Sequence, residues 1–140
     1  MDTHDNPLGW LLDEQLGTVE GVRYAVLMSS DGLLRARTKT IDQEGGEKFA
    51  ALTAAMRASA RAWDEFTGGG GVRQQMIECV ANIGLMTAAG QNTMLAVCTT
   101  GPHPDVGLIS RHMAQLAVRV GEQLSTKERT PQVSGGGTAA

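Results

Sequence analysis

Val22 to Arg37, VRYAVLMSSDGLLRAR, consists of two apolar runs folded about Asp31-Gly32. That dipeptide between two strand-like runs is a strong hairpin signal, because glycine takes the positive φ that a tight turn demands. In the first run Val22, Tyr24, Val26 and Met28 share one side, and Ala25 and Leu27 on the other side are also apolar. A strand that is apolar on both faces is covered above and below, so it is central to its sheet. The return run, Leu33 to Thr38, carries Arg35 and Arg37 with Lys39 just beyond. Charges concentrated there mark an edge strand protected against unwanted pairing.

Helical patterns flank this hairpin. Asn6 caps a first helix and Pro7 occupies its first turn, where a missing N–H costs nothing. Leu8, Leu12, Leu16 and Val19 recur behind them at helical spacing. Glu47 to Phe66 reads as the longest helix, entered after Gly45-Gly46, with Phe49, Leu52, Met56, Ala60 and Trp63 as one apolar stripe. A second stripe, Ala51, Ala55, Ala58 and Ala62, is made of small residues where a solvated face would carry Lys and Glu. Alanine is the best helix former, so propensity explains that stripe as well as a packing surface does.

The chain continues through the four glycines Gly68 to Gly71 into three strand-like runs: Val72 to Val80, Ile83 to Ala89 and Thr93 to Thr99. The short links Ala81-Asn82 and Gly90-Gln91-Asn92 predict an antiparallel meander. Asp105 caps a final helix whose stripe is Val106, Ile109, Met113, Leu116, Val120 and Leu124. The predicted order is α-β-β-α-β-β-β-α. It gives a three-layer α/β (α+β) fold with a five-stranded antiparallel sheet, the long helix on one face and the first and last helices on the other. Residues 1–7 are expected to be a flexible leader, 8–125 the domain, and 126–140, which end in SGGGTAA, a disordered tail.

Composition narrows the function. The 140 residues suit one domain. Net charge is −3 and no basic run is present, which argues against a nucleic-acid partner. No apolar stretch is long enough to span a bilayer, and the polar, acidic start MDTHDNP is not a secretory signal. The expected location is the cytoplasm, with any membrane contact made through partners. Cys79 and Cys98 lack metal-ligand spacing and read as free thiols. The glycine run is not a phosphate loop, since the lysine and hydroxyl residue of that motif are absent and Val72-Arg73 follows. His4, His103 and His112 join no acid, base and nucleophile set. Ser29, Ser30 and Asp31 shape the turn, and Glu78 reads as a solvent-facing strand residue. The expectation is therefore no catalytic residue, no cofactor and no metal.

The pieces LGWLLDEQL, GVRYAVLMSSDGLLRA, EKFAALTAAM, VRQQMIECV, LMTAAGQNTMLAV and VGLISRHMAQL, spanning about Leu8 to Leu124, resemble a Roadblock/LC7 domain. That family includes the roadblock dynein light chains and bacterial regulators of Ras-like GTPases. The chain is most similar to the actinobacterial type encoded in conservons beside a sensor-like histidine kinase and a small GTPase. The resemblance implies a homodimer in which the long helices pack together and the third strands join into one sheet. It assigns the alanine stripe to that contact, giving Ala51, Ala55, Ala58, Ser59, Ala62, Arg73, Gln75 and Ile77 as the expected interface. It also implies a non-enzymatic regulator or scaffold that binds a Ras-like small GTPase, in a complex that can include a sensor histidine kinase. Two alternatives stay open: a GTPase-activating protein that rearranges the GTPase's own site, and a small-molecule sensor domain.

Overall fold

A computed structural model describes residues 3–139, with side chains to residue 125. Three helices and five strands follow the predicted order: α1 (Pro7–Gln15), β1 (Val22–Ser29), β2 (Leu34–Arg37), α2 (Gln43–Thr67), β3 (Gln74–Glu78), β4 (Ile83–Ala88), β5 (Thr93–Thr99) and α3 (Val106–Ala139). The expected tail over 126–140 falls on side chains outside the described residues. All pairings are antiparallel, in the spatial order β2-β1-β5-β4-β3. β1 and β5 are interior strands as their two-sided apolarity required, and β2 is an edge. The loop at the first hairpin is Ser30-Asp31-Gly32, closed by the Ser29 N–H donating to the Leu33 carbonyl, with Gly32 at φ +93°.

The side chains on the two sheet faces form two separate cores. On one face Ala25, Leu27, Leu85, Leu95 and Val97 meet Leu12 and Leu16 of α1 and Ile109, Met113, Leu116 and Val120 of α3. On the other, Val26, Met28, Met86, Met94 and Ala96 meet Ala50 of α2, with Phe49 and Met56 packed around them. Asn6 caps α1 by accepting from the Gly9 N–H at 2.8 Å. Asp105 caps α3 by accepting from the Leu108 N–H at 3.0 Å.

Two boundaries differ from the sequence reading. α2 begins at Gln43, not Glu47, so Gly45-Gly46 lie inside its first turn. Asp42 makes this possible: its carboxylate accepts from the Gly45 N–H at 2.7 Å and offsets the low helix propensity of the pair. Gly46 is also where the helix meets β2, since a Cβ there would stand 2.9 Å from a methyl of Leu34. β3 is shorter than expected, running from Gln74 to Glu78 rather than Val72 to Val80. Gly70 and Gly71, at φ +81° and +121°, turn the chain until just before it. Beyond it, Cys79 and Asn82 already flank the turn to β4.

Candidate protein-interaction site

α2 is longer than the sheet surface it covers. Its 25 residues span about 37 Å at 1.5 Å per residue. The side chains buried against the sheet are Ala50 and Thr53, with Gly46 buried before them and nothing buried after Thr53. The fully buried residues at this contact are small, and the half-buried Phe49 and Met56 pack on the sheet core beside them. The Thr53 hydroxyl is satisfied by the Phe49 carbonyl at 2.9 Å.

The sheet-facing arc is narrower than the sequence stripe. Phe49, Met56 and Ala60 are partly buried, but Leu52 is 55% exposed and Trp63 is 73% exposed. At 100° per residue both lie on the flank away from Ala50, alongside the small-residue stripe rather than opposite it. Leu52, Ala55, Ser59, Ala62 and Phe66 then succeed one another at intervals of three and four, which is one continuous seam on a helix surface. Phe66 is 91% exposed. Isolated apolar side chains on a surface are ordinary, but an aromatic-tipped seam of this length is the pattern of an interaction face.

β3 extends this face. It pairs with β4 alone, so its other edge is open. The Cys79 N–H donates to the Asn82 carbonyl at 2.9 Å, which fixes the phase of the ladder. In antiparallel strands hydrogen-bonded pairs alternate, so Ile77 and Gln75 turn their backbone groups toward β4. Gln74, Met76 and Glu78 consequently aim theirs at the open edge. Ile77 and Gln75 put their side chains under α2, and Met76 on the opposite face is 56% exposed. Gln74 is tied to α3 through the Ser110 hydroxyl at 3.0 Å.

Between α2 and β3 runs a groove of about 370 Å³ lined by Met56, Ser59, Ala60, Trp63, Gln75 and Ile77. The Gln75 amide nitrogen donates to the Met56 carbonyl at 3.1 Å, while its Oε1 is buried with no partner among the described residues. A buried acceptor left unpaired costs free energy that an incoming donor recovers. Beyond this groove Asp64 ties the end of α2 to the glycine loop: its carboxylate accepts from the Gly71 N–H at 2.9 Å and its carbonyl from the Gly69 N–H at 3.0 Å.

The eight residues expected at an interface fall together on this face. Ala51, Ala55, Ala58, Ser59, Ala62 and Arg73 lie at the surface, and Gln75 and Ile77 are half-buried beside the groove. Arg73 stands just before β3 rather than in it, with its carbonyl accepting from the Thr87 hydroxyl at 3.0 Å. Leu52, Trp63 and Phe66 belong to the same face and are absent from that set, as is Met76, whose backbone lies on the open edge and whose side chain is on the other side of the sheet. The signal for the first three was present in their spacing relative to Ala55 and Ser59. Met76 falls within Arg73 to Glu78, the strand that the resemblance makes the pairing one. Elsewhere, Cys79 is exposed and Cys98 is buried beside Tyr24. Among the described residues no three His, Cys, Asp or Glu side chains converge as a metal site, and no helix is long and apolar enough to cross a membrane.

The Roadblock/LC7 domain family model matches residues 8–99. Among solved structures, the Roadblock/LC7 domain from Streptomyces avermitilis is 30% identical and superposes with a TM-score of 0.77, covering 83% of this chain and 96% of that one. MglB of Myxococcus xanthus is 16% identical at a TM-score of 0.77, covering 87% and 98%. The gliding protein MglB of Thermus thermophilus is 19% identical at 0.70, covering 83% and 89%. These last two share the fold. No curated protein sequence matches the chain.

Proposed function

This chain belongs to the Roadblock/LC7 domain family, and from that premise we propose that it is a non-enzymatic, homodimeric regulator or scaffold for a Ras-like small GTPase. The observation that carries the reading is the face just described: an exposed seam on α2 that continues, through a groove, into the open edge of β3. A second copy covers both at once, because a two-fold axis applies the same patch to itself. The function follows from assembly rather than from chemistry within the chain. Two copies present a surface that one copy lacks, and a GTPase that binds it in only one nucleotide state has that state stabilised by the difference in affinity. The protein acts in the cytoplasm and reaches any membrane-bound kinase complex through its partners.

Affinity capture from the source cytoplasm tests this, run in parallel with GDP and with a non-hydrolysable GTP analogue and read by mass spectrometry. The expected result is a small GTPase enriched in one nucleotide condition. Capture of other proteins with no GTPase in either condition overturns the regulator reading. If adding the protein speeds hydrolysis by the captured GTPase, the regulator is an activator; equal rates leave it a binding scaffold.

A further inference from the structure

We propose that residues 3–5 are a releasable strap, hinged at Asn6, that opens and closes over the outer edge of β2 independently of the sheet. This does not rest on the two-copy reading, which concerns the opposite edge, β3.

The strap lies where a strand beside β2 would lie. The Arg37 N–H points away from β1 and donates to the Thr3 carbonyl at 3.1 Å. The next amide, Thr38, points inward and donates to the Ala25 carbonyl at 3.0 Å. On the outer side the Arg35 carbonyl accepts from the Asn6 side-chain nitrogen at 3.4 Å. Main-chain groups on a sheet edge are those with which an extended protein segment pairs. Thr3 and Asn6 occupy that place here.

Two positions on α1 are shaped to hold the strap. Gly9, in the first turn, is its seat: a Cβ there would stand 2.2 Å from the His4 carbonyl oxygen and 2.9 Å from that of Thr3. Asp13, one turn further, is its latch. One of its carboxylate oxygens lies 2.8 Å from His4 Nε2, and the other accepts from the Lys39 N–H, just past β2, at 3.1 Å. At the start of α2 the Gln43 side chain accepts from the Thr3 hydroxyl. Thr3, His4 and Asp5 are polar and none is buried, so these contacts hold the strap within reach of water. The sheet beneath is held by two buried cores. Local opening therefore takes the strap and leaves the sheet. Asn6 stays behind with α1, because its side-chain oxygen caps the Gly9 N–H at 2.8 Å and its carbonyl accepts from the Trp10 N–H at 3.0 Å. Arg37 also keeps its place, since its Nη1 donates to the Ile41 carbonyl at 2.5 Å. Opening bares the Arg37 N–H on an edge already aligned for pairing.

Amide exchange followed by NMR on the full chain reads the strap at Arg37, with Thr38 as the internal control. In the parent the Arg37 amide is expected to be protected, yet to exchange about 10-fold or more faster than Thr38. Gly9→Ala removes the seat and suits α1, since alanine is the better helix former. It is expected to bring Arg37 close to the unprotected rate with Thr38 unchanged. His4→Ala removes the latch without altering a helix or strand, and is expected to speed exchange at Arg37 alone by about 2- to 5-fold. An unprotected Arg37 amide in the parent, or one still protected in G9A, overturns the cover. Equal rates at Arg37 and Thr38 in the parent overturn independent opening. An unchanged Arg37 rate in H4A overturns the latch.

Discussion

Gly90, in the turn between β4 and β5, has φ +93°, and a Cβ there would stand 3.1 Å from the backbone of Gly121 on α3. A backbone neighbour cannot step aside as a side-chain tip can, so Gly90→Ala combines a strained conformation with a clash. The expected cost is about 1–3 kcal/mol and a melting temperature several degrees lower. Gly121 faces the same contact from a helical conformation, and its own Cβ would sit 3.6 Å from Gly90, an ordinary separation. Gly121→Ala is therefore expected to leave the melting temperature unchanged or raise it, since alanine favours a helix by about 1 kcal/mol over glycine. Thermal melts of both variants check the pair. The glycine in the turn was legible from its neighbours Gln91 and Asn92; the close approach of Gly121 was not, because nothing in a helical stripe announces which distant turn crosses it. Tyr24 offers a second residue-scale test. Burial, then the neighbouring Cys98, hold its phenol above the ordinary 10.0, against an opposing pull from Arg23. A raised value means that the folded state keeps a proton the unfolded chain loses. Stability from this group is thus complete below the unfolded value of 10.0 and falls as pH climbs through the folded one. The chain has a single tyrosine, so the ultraviolet ionisation signal reports this residue alone. Its midpoint is expected above 10.0 in the native protein and close to it in denaturant; identical midpoints contradict the packing of Tyr24 against Cys98 and Phe49.

At the scale of elements, the instructive case is α2. Its existence and its place on one sheet face were legible, because 3.6-residue periodicity persists through it, whereas its start at Gln43 was hidden by Gly45-Gly46. The assignment of Leu52 and Trp63 to the sheet side was not, because an apolar stripe does not say which of two apolar surfaces it meets. The buried arc is drawn by Gly46, Ala50 and Thr53, residues small enough to let the helix lie close. Leu52, Trp63 and Phe66 are displaced to the flank, where they join the alanine stripe, whereas Phe49 and Met56 pack on the sheet core. Ala55→Glu with Ala58→Glu separates the two surfaces. Both positions are exposed on one chain, so the folded monomer should melt within about 0.5 kcal/mol of the parent. In the assembly each carboxylate is forced against apolar surface without a partner. Together they should weaken association about 100-fold or more, as a cost near ~3 kcal/mol implies. Sedimentation over a concentration series measures it, and an unchanged association constant removes α2 from the interface.

For the molecule as a whole, the element order and the central strands β1 and β5 could be read in advance from two-sided apolarity and short links. What could not be read is the difference between the two sheet edges. β2 announces its edge position with Arg35 and Arg37, and residues 3–6 then lie along it. β3 carries no such signal: Gln74, Met76 and Glu78 alternate with Gln75 and Ile77 as they would in any half-buried strand. Only the family resemblance pointed to that edge in advance, and the strand order shows it open. The guarded edge, the open edge and the apolar seam beside it are what the proposed two-copy assembly rests on. The direct measurement is the mass of the purified chain in solution, by light scattering across micromolar concentrations. Twice 14.8 kDa, held on dilution, is the predicted result; a single-chain mass throughout the range contradicts the account.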